Sequence, residues 1–523
     1  MLGDATTGTI SGANYNTGLG IDVFAALTTG DKNTVMGYQA LDANTTGEDN
    51  TAIGVDALGA NTTGSKNTSL GVNALRDNTT ADDNTALGMN SLLVNTTGTA
   101  NTAVGALALD ANTTADNNTA VGYASLGANT TGAGNTALGK DALAVNTTAS
   151  NNTAVGWIAM TSNTTGNACT AVGRSALAAN TTAADNTAVG YISLGATTTG
   201  ASNTAVGYNA LANNTTAADN TAVGHRALTT NSTGTLNTAV GKDALAANTT
   251  ANGNTGVGRK ALAANTSGAN NTSLGADALL ANTTASSNVA IGVSAGNLWT
   301  TNGNNVAIGK GSAETTGTTC TDGVWIGYNC GSTEAIDGSK AGQVVIGASA
   351  QVGNAENCVA IGKSCPGQGT NTVTFGKSAS SKVNLNWDTA TAWTYPSDER
   401  MKENIADMPA SAGLSFIKSL KPRTFTWRKV EDYDESLTSL GGTMKIAGDK
   451  FKKSEGTQYG FVAQEVKTAM EGASITPDPD GGGYGFWTQA EVGNQQGVSK
   501  EDLIPSLVKA IQELSAKVDA LES

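Results

Sequence analysis

A short motif in this sequence returns at a fixed interval of 17 residues. It reads Asn-Thr-Ala-Val-Gly at Asn101–Gly105 and Asn118–Gly122, and with conservative changes it extends from Asn16–Gly20 to Asn305–Gly309. The eighteen copies keep one register without a slip. A strict period of this length is typical of a repeat protein in which each unit stacks on its neighbours. We therefore predict one stacked turn per repeat over residues 16–309.

The residue pattern within one repeat, numbered from its asparagine, predicts the local structure. Positions 2–5, Thr-Ala-Val-Gly, alternate in polarity and carry β-branched side chains, which favours a short strand. Positions 12–15, Asn-Thr-Thr-Gly, favour a turn, and the middle of the unit fits either a second strand or one turn of helix. The apolar residues at position 4 and the leucine at position 9 form two stripes that we predict to be the core.

Three further positions predict how the turns stack. The asparagines at positions 1 and 12 would lie above one another and form amide ladders. The glycine at position 5 indicates a positive φ or a close approach to another backbone. One unit cannot bury its apolar stripe alone, so we expect stacking and oligomerisation to complete the core.

The composition excludes several classes of protein. The chain has 65 glycines and 7 prolines, with 5% aromatic and 14% charged residues, which favours a solenoid over a globular core. The apolar residue at each fixed position argues against disorder. The net charge of −14 argues against nucleic-acid binding, and the lack of an 18-residue apolar run predicts no membrane insertion. The first residues lack the features of a signal peptide, so we expect assembly in the host cytoplasm.

No cofactor or metal site is predicted from the cysteines. None of the five has the CxxC spacing of a zinc ligand pair. We expect buried free thiols; the alternative is that Cys320 pairs with Cys330, and Cys358 with Cys365, if the region is extracellular.

Position 6 of the repeat varies in a way that predicts a solvent-facing stripe. One interpretation is a plain exposed face. The alternative is a weak glycan-contacting ladder built from aromatic side chains, at Tyr123, Trp157, Tyr191 and Tyr208. His225 belongs to the same stripe and has no partner motif, so we give it no catalytic or ligand role.

The repeats resemble the β-roll heads of trimeric autotransporter adhesins, which carry an Asn-Ser-Val-Ala-Ile-Gly motif. Asn288–Gly292 and Asn305–Gly309, both Asn-Val-Ala-Ile-Gly, come close to it. The repeats are also similar to Asn-Thr-Thr-Gly-rich repeats of phage tail fibres. The resemblance implies a mainly β chain that forms a trimeric parallel β-roll or β-helix fibre of stacked 17-residue repeats.

The period breaks after Gly309, and residues 310–396 form an irregular solenoid or tip region. Six of the seven tryptophans lie after residue 298. Aromatic side chains on loops of a rigid rod suit a receptor-binding tip, for which Trp299, Trp325, Tyr328 and the repeat residue Trp157 are the candidates. The alternative is that the late aromatics plug the end of the solenoid core.

The composition changes at Pro396, where lysine, glutamate, methionine and phenylalanine return. Residues 397–405, 414–427 and 459–466 resemble, in the right order, three motifs of the intramolecular chaperone domain of phage endosialidases and related tail spikes. The resemblance implies a small α+β domain over 397–523 with a self-cleaving dyad, in which Ser397 is the nucleophile and Lys402 the base. Burial would keep Lys402 neutral, so that it takes the proton of Ser397. We favour cleavage of the Pro396–Ser397 bond, with Ser397–Asp398 as the alternative.

The chain ends in a heptad seam over 504–521, with apolar residues at spacings of 3 and 4. Its members are Ile504, Leu507, Ile511, Leu514, Val518 and Leu521. We expect this coiled-coil helix to trimerise the chain in register, because every 17-residue shift of the repeats looks alike. Cleavage afterwards would leave the fibre kinetically trapped.

These features together favour a structural phage tail fibre with a shaft and a host-receptor-binding role. The expected partners are two further copies, a host glycan or protein receptor, and another tail-fibre subunit joined through residues 1–15. The expected location is the virion tail, which is extracellular. The alternatives are a bacterial surface adhesin or matrix fibre, and a glycan-degrading spike. No carboxylate pair stands out in residues 16–309, so we expect no external substrate and only self-cleavage.

Overall fold

The computed structural model describes residues 12–314, 321–331, 341–352, 355–378, 381–386, 413–425, 458–460, 462–473, 488–489, 496–497 and 504–522. The chain divides into two compact units, residues 1–396 and 397–523. They are described separately below.

The first unit is a parallel β-solenoid in which each 17-residue turn contributes one three-residue strand. Successive strands pair in parallel with a shift of one repeat, so that Thr17 lies beside Thr34 and Leu19 beside Met36. The eighteen regular strands are β1 Thr17–Leu19, β2 Thr34–Met36, β3 Thr51–Ile53, β4 Thr68–Leu70, β5 Thr85–Leu87, β6 Thr102–Val104, β7 Thr119–Val121, β8 Thr136–Leu138, β9 Thr153–Val155, β10 Thr170–Val172, β11 Thr187–Val189, β12 Thr204–Val206, β13 Thr221–Val223, β14 Thr238–Val240, β15 Thr255–Val257, β16 Thr272–Leu274, β17 Val289–Ile291 and β18 Val306–Ile308. The prediction of stacked 17-residue turns in a mainly β fold is confirmed.

The solenoid continues beyond the regular repeats with turns of unequal length. The later strands are β19 Val324–Ile326, β20 Val344–Ile346, β21 Val359–Ile361, β22 Thr372–Gly376 and β23 Lys382–Asn386. Strands β19 to β22 keep the parallel pairing, whereas β23 returns antiparallel to β22. The described stack therefore has about 20 turns and closes on a hairpin.

The prediction that position 4 lines the core is wrong. In each repeat the side chains at positions 1 and 3 point inward, and those at positions 2 and 4 point outward. Ala137 at position 3 is fully buried, while Leu138 at position 4 is 47% exposed. Side chains alternate along a strand, and burying the asparagine at position 1 turns position 4 to the surface.

The core instead consists of the residues at positions 3, 8 and 9. Ala176 and Leu177, at positions 8 and 9, are fully buried, which confirms the prediction for the leucine stripe. There is little space opposite them: a Cβ added at Gly256, in position 3, would lie 3.3 Å from Cγ of Leu245. Alanine therefore fits position 3, and a larger aliphatic side chain there would overpack the turn.

The middle of the repeat is neither a strand nor a helix. Position 7 and position 9 both have positive φ, as at Asp56 (54°) and Leu58 (56°), which is incompatible with either regular element. Backbone hydrogen bonds instead join neighbouring turns, from Asp56 N–H to the carbonyl oxygen of Tyr38 and from Leu58 N–H to that of Ala74, each at 3.0 Å.

Two buried asparagine ladders confirm the prediction made from positions 1 and 12. Asn61, at position 12, donates from Nδ2 to Oδ1 of Asn44 at 3.0 Å and to the carbonyl oxygen of Gly64 at 2.9 Å. At position 1, the backbone N–H of Asn67 donates to Oδ1 of Asn50 at 3.0 Å. Buried amides need such partners, and the ladders tie neighbouring turns together. They are interrupted where Cys169 stands at position 1 and where Thr197 stands at position 12, the latter leaving Asn180 Oδ1 without a hydrogen-bond partner among the described residues.

Four cysteines of the solenoid are buried free thiols: Cys169, Cys330, Cys358 and Cys365. The Cys358–Cys365 disulfide weighed from the sequence is therefore not formed, and Cys320 lies outside the described residues. Burial raises the pKa of Cys330 from 9.0 to about 12, because a thiolate is poorly solvated in an apolar interior.

The second unit is a small α+β arrangement. Its described elements are α1 Leu414–Ser419, β24 Arg423–Phe425, β25 Gln458–Gly460, α2 Ala463–Gly472, β26 Thr488–Gln489, β27 Gln496–Gly497 and α3 Ile504–Glu522. The strands form two antiparallel pairs, β24 with β25 and β26 with β27. Phe416 of α1 is fully buried, and Val466 and Met470 of α2 are nearly so. No helix among the described elements is long and apolar enough to cross a bilayer.

Candidate functional site

An exposed column of aromatic and basic side chains runs along position 6 of the solenoid. The rings of Tyr191 and Tyr208 stack with centroids 5.4 Å apart, and those of Tyr208 and His225 stack at 5.1 Å. The guanidinium of Arg174 lies 4.5 Å from the ring centroid of Trp157 and 5.5 Å from that of Tyr191. The contacts follow from the repeat, because a shift of 17 residues moves a side chain up by one strand spacing.

The geometry of this column bears on the glycan-contacting alternative. A sugar packs on the face of an aromatic ring, and neighbouring turns already cover the facing sides of Tyr191, Tyr208 and His225. Arg174 covers a face of Trp157 in the same way. Tyr208 is stacked on both sides, whereas these contacts cover one face of Trp157 and one face of His225. A glycan in this column would therefore meet ring edges, tyrosine hydroxyl groups and the remaining faces of those two rings.

Basic side chains at positions 6 and 7 follow the aromatic part of the column towards the end of the regular repeats: Lys242 and Arg259 at position 6, and Arg226 at position 7. Arg226 pairs with Asp243 at 3.8 Å and Arg259 pairs with Asp277. Lys242, one turn from each arginine, has no ion-pair partner among the described residues. These exposed pairs contribute little to stability, since solvent screens them.

Trp299 and Trp325 lie inside the solenoid, which corrects their prediction as surface residues of a receptor-binding tip. Both are fully buried, and their rings pack at a centroid distance of 5.6 Å. Trp325 is the middle residue of β19 and is paired with Ala307 and Val345, the inward-facing residues of the neighbouring turns. The structure thus matches the alternative interpretation, in which the late aromatics fill the core.

Glycines make the space that these large rings need. A Cβ at Gly331 would lie 2.6 Å from Cδ1 of Trp325, and one at Gly296 would lie 2.9 Å from Cε3 of Trp299. Of the four proposed receptor-binding aromatics, Tyr328 and Trp157 are exposed, at 54% and 46%. These two remain available to a ligand.

A second outward-facing column, at position 4, is apolar in every described turn, and its side chains range from half-buried to exposed. Strand pairing aligns each member with the next. We call it the fourth-position column, and it consists of Leu19, Met36, Ile53, Leu70, Leu87, Val104, Val121, Leu138, Val155, Val172, Val189, Val206, Val223, Val240, Val257, Leu274, Ile291, Ile308, Ile326, Ile346, Ile361 and Phe375. The sequence pattern placed it in the core, and its exposure went unpredicted. The signal that would have placed it outside is the buried asparagine two residues before the buried alanine.

Helix α3 packs within its unit through a face of small side chains, while its apolar seam is exposed to solvent. Ser506 and Ala510 are buried, and Glu513 accepts a hydrogen bond at 2.9 Å from the backbone N–H of Leu414, the first residue of α1. All six predicted seam residues are 44–86% exposed: Ile504, Leu507, Ile511, Leu514, Val518 and Leu521. An apolar seam that its own unit leaves uncovered is typical of a helix that binds another helix.

The unit also has a cavity of about 500 Å³ between α1 and α2. Ser415 and Ser419 line it from α1, and Glu465 and Thr468 from α2. Arg423 donates from Nε to Oε2 of Glu465 at 2.9 Å, and this hydrogen bond lowers the pKa of Glu465. The lining mixes polar and apolar surface and is open to solvent. No cluster of three or more metal-binding side chains occurs among the described residues.

The proposed dyad, Ser397 and Lys402, and the scissile Pro396–Ser397 bond lie outside the described residues. The structure therefore does not test the dyad or the cleavage site, and both stay predictions from the sequence.

The comparisons with known proteins bear on the C-terminal unit. Residues 397–475 match the family model described as chaperone of endosialidase. No curated protein and no solved structure matches the chain. The chain thus joins a β-solenoid of about 20 turns to a C-terminal domain that matches the endosialidase chaperone family, and this combination fits a tail fibre or tail spike that carries a chaperone domain.

Proposed function

We propose that the chain is a structural tail fibre of a bacteriophage, with the solenoid as its shaft. The observation that carries the proposal is the match of residues 397–475 to the endosialidase chaperone family, on the same chain as a long unbranched solenoid. A stack of about 20 strands at ~4.8 Å spacing gives a rod on the order of 100 Å long. A rod of that kind suits a shaft better than an enzyme.

The proposed assembly is a homotrimer. Chaperone domains of this type are associated with trimeric fibres, and the exposed seam of α3 gives this chain a means of self-association. The heptad by itself favours two chains rather than three. Its a positions are β-branched, at Ile504, Ile511 and Val518, and its d positions are leucine, which is the pattern of two-stranded coiled coils. We therefore assign the third copy to contacts outside the seam.

The proposed role of the C-terminal domain follows from the uniformity of the repeats. Two solenoids displaced by one or several turns would meet nearly the same side chains, so the shaft alone specifies its register weakly. A domain that first brings three C-termini together removes these alternatives. The shaft then folds and associates from that end.

Release of the domain is proposed to occur by self-cleavage at Ser397. Neutral Lys402 would take the proton of Ser397 Oγ, and the oxygen would attack the carbonyl carbon of Pro396. The Pro396–Ser397 C–N bond breaks, the freed amine takes a proton, and an ester joins Pro396 to Oγ. Water then hydrolyses the ester, giving a carboxylate on Pro396 and restoring the serine hydroxyl.

The remaining proposals concern the two ends of the fibre and its ligand. Residues 1–15 are proposed to join another tail-fibre subunit, which places the fibre on the virion tail. Host receptor binding is assigned to exposed side chains, of which Trp157 and Tyr328 are the aromatic candidates. Trp299 and Trp325 are left out because they are buried.

Immunogold electron microscopy tests the fibre assignment. Antibody raised against the solenoid is expected to label the tails of the phage that carries the gene. Label on the bacterial envelope, and none on phage tails, would contradict the proposal and favour the surface-adhesin alternative.

Denaturing mass measurement of the wild type beside Ser397→Ala tests the cleavage. The wild type is expected to give two fragments, the second with Ser397 at its N-terminus, and the variant a single full-length chain. An uncut wild type would reject self-cleavage and leave the fibre assignment standing.

A further inference from the structure

The fourth-position column presents more apolar surface than a solvated rod needs. Its 22 aligned members extend over roughly 100 Å at ~4.8 Å per strand. Even at a width of about 6 Å the column covers on the order of 600 Å², at the upper end of the apolar patches found on monomers. Stable interfaces bury ~800 Å² per partner, and the side chains beside the column would supply the difference.

The apolar surface becomes wider towards the C-terminal end of the solenoid. In the regular turns the other outward strand residue, position 2, is threonine, as at Thr170 and Thr187. In five later turns this residue is valine: Val289, Val306, Val324, Val344 and Val359. Both outward residues of these strands are therefore branched aliphatics, half-buried within one chain.

We propose that the fourth-position column is the surface along which copies of this solenoid contact one another, side by side and in parallel, and that this contact begins at the five doubly apolar turns. The inference rests on the proposed homotrimer and names the surface that holds it together. It also supplies the contact outside the α3 seam to which the third copy was assigned.

The length and regular spacing of the column decide which partner fits it. A partner must present apolar groups at the same spacing over the whole rod, and another copy of the solenoid does so. Parallel alignment places the doubly apolar turns of every copy together, whereas antiparallel alignment would set them against a threonine-lined surface. The column alone covers somewhat less than the ~800 Å² per partner of a stable interface, and the half-buried valines at position 2 of the five doubly apolar turns add to it.

The side-chain sizes along the column explain why a separate registering domain is needed. The members from Val155 to Val257 are seven consecutive valines, so a slip of one turn leaves the central contact unchanged. Larger side chains stand at both ends, from Leu19 to Leu87 and from Leu274 to Phe375. The ends of the column therefore distinguish one register from another. The C-terminal end, with its five doubly apolar turns, is nearer in sequence to the domain that is proposed to bring the chains together, so it would be the first part of the shaft to pair.

Site-specific photo-cross-linking of the full-length chain tests the proposal. A photoreactive phenylalanine derivative replaces Val206, in the column, or Thr216, an exposed threonine of the same turn outside it. The Val206 probe is expected to give covalent dimers and trimers at a yield at least ten-fold above that of the Thr216 probe. Equal yields, in protein whose native mass is that of three chains, would overturn the column as the interface while leaving the trimer intact.

Charge substitution gives a second readout. The triple variant Val189→Lys, Val206→Lys, Val223→Lys is compared with Thr199→Lys, Thr216→Lys, Thr233→Lys, which adds the same charge to exposed threonines of the same turns. Both are expected to keep the strand signal in circular dichroism, because all six side chains point outward. The valine variant alone is expected to lose at least ten-fold in cross-linking from a probe at Val240. Unchanged cross-linking would contradict the proposal, and a monomeric wild type would overturn both the proposal and the trimer.

Discussion

The glycine at position 5 of each turn is the most demanding residue of the solenoid, and Gly54→Ala tests it. Gly54 has φ of 140°, in a region that is essentially restricted to glycine. A Cβ there would lie 2.6 Å from the carbonyl carbon of Gly71 in the next turn, and closer still to the carbonyl oxygen. Neither group is the end of a flexible side chain, so the two turns would have to separate.

The magnitude follows from strain and lost hydrogen bonds. Backbone strain in this region costs about 1–3 kcal/mol. Separation of the turns also weakens the bonds that join them, from Thr51 N–H to Asn67 O and from Gly71 N–H to Ile53 O, both 2.8 Å, each worth about 1 kcal/mol. The local free energy of opening should therefore fall by roughly 3–5 kcal/mol.

Gly59, in the same turn, provides the matched control. A Cβ there would meet its nearest neighbours, Oδ1 of Asp42 and the carbonyl oxygen of Asp56, at 3.5 Å. This is ordinary van der Waals contact, and the φ of Gly59 is not in the positive region. Gly59→Ala is expected to change stability by less than about 1 kcal/mol.

Hydrogen exchange measured by mass spectrometry reads the effect locally, because repeats contact mainly their neighbours. Gly54→Ala should raise exchange roughly 10²–10⁴-fold over the strands Thr51–Ile53 and Thr68–Leu70, with distant turns unaffected. Gly59→Ala should leave exchange near that of the wild type. Wild-type protection in Gly54→Ala would refute the stacking geometry described here.

Three further outcomes are expected. Asn129→Ala removes the donor to Asn112 Oδ1, at 3.0 Å, and breaks a buried ladder, so local protection should fall by about 2–4 kcal/mol; exchange no faster than in the wild type would contradict this. Because burial raises the pKa of Cys330 to about 12, a thiol reagent at pH 8 should label Cys330 only after denaturation. The contribution of the neutral buried thiol to the free energy of unfolding should be complete below pH 9 and should be lost as the pH rises towards 12. Arg174→Ala removes a cation–π contact worth about 0.5–1 kcal/mol, so local exchange should rise a few-fold. Lys242→Ala, at the same repeat position but without a cation–π contact among the described residues, should have no such effect.

The stacking of the solenoid follows from sequence because the period places identical residues in contact. Asn44 and Asn61 are 17 residues apart, and a buried amide can satisfy both its donor and its acceptor on its equivalents above and below. Leucine at position 9 is equally informative, since its size suits only the interior. The glycine at position 5 has both properties that its residue type predicted, a positive φ and a close approach.

Side-chain direction within a three-residue strand was harder to predict. Val172 and Ala171 are both apolar, and hydrophobicity alone prefers to bury the larger one. The inward direction is fixed by the asparagine at position 1 and by the narrow interior, which are properties of the closed turn. Trp325 is the opposite case, because alignment of the repeats suffices to place it. It stands in Val-Trp-Ile where the preceding turn has Val-Ala-Ile, so it is aligned with the inward-facing Ala307. This alignment predicts that Trp325 is buried.

The conformation of the middle of the repeat is set by tertiary contacts. Positive φ at Leu58 is uncommon for leucine, and no local preference predicts it, whereas Asp56 is a residue type that tolerates positive φ. Hydrogen bonds to the neighbouring turns offset the cost, and these bonds exist only once the stack has formed. The dyad of Ser397 and Lys402 stays a prediction from resemblance.

The native mass of full-length Ser397→Ala, measured by sedimentation equilibrium, tests the central claim most directly. This variant keeps the C-terminal domain attached, so the number of chains is read without the complication of cleavage. We predict three times the 52.2 kDa of one chain. A mass of one chain would contradict assembly by this domain, and a mass of two chains would mean that the α3 seam alone sets the number of copies.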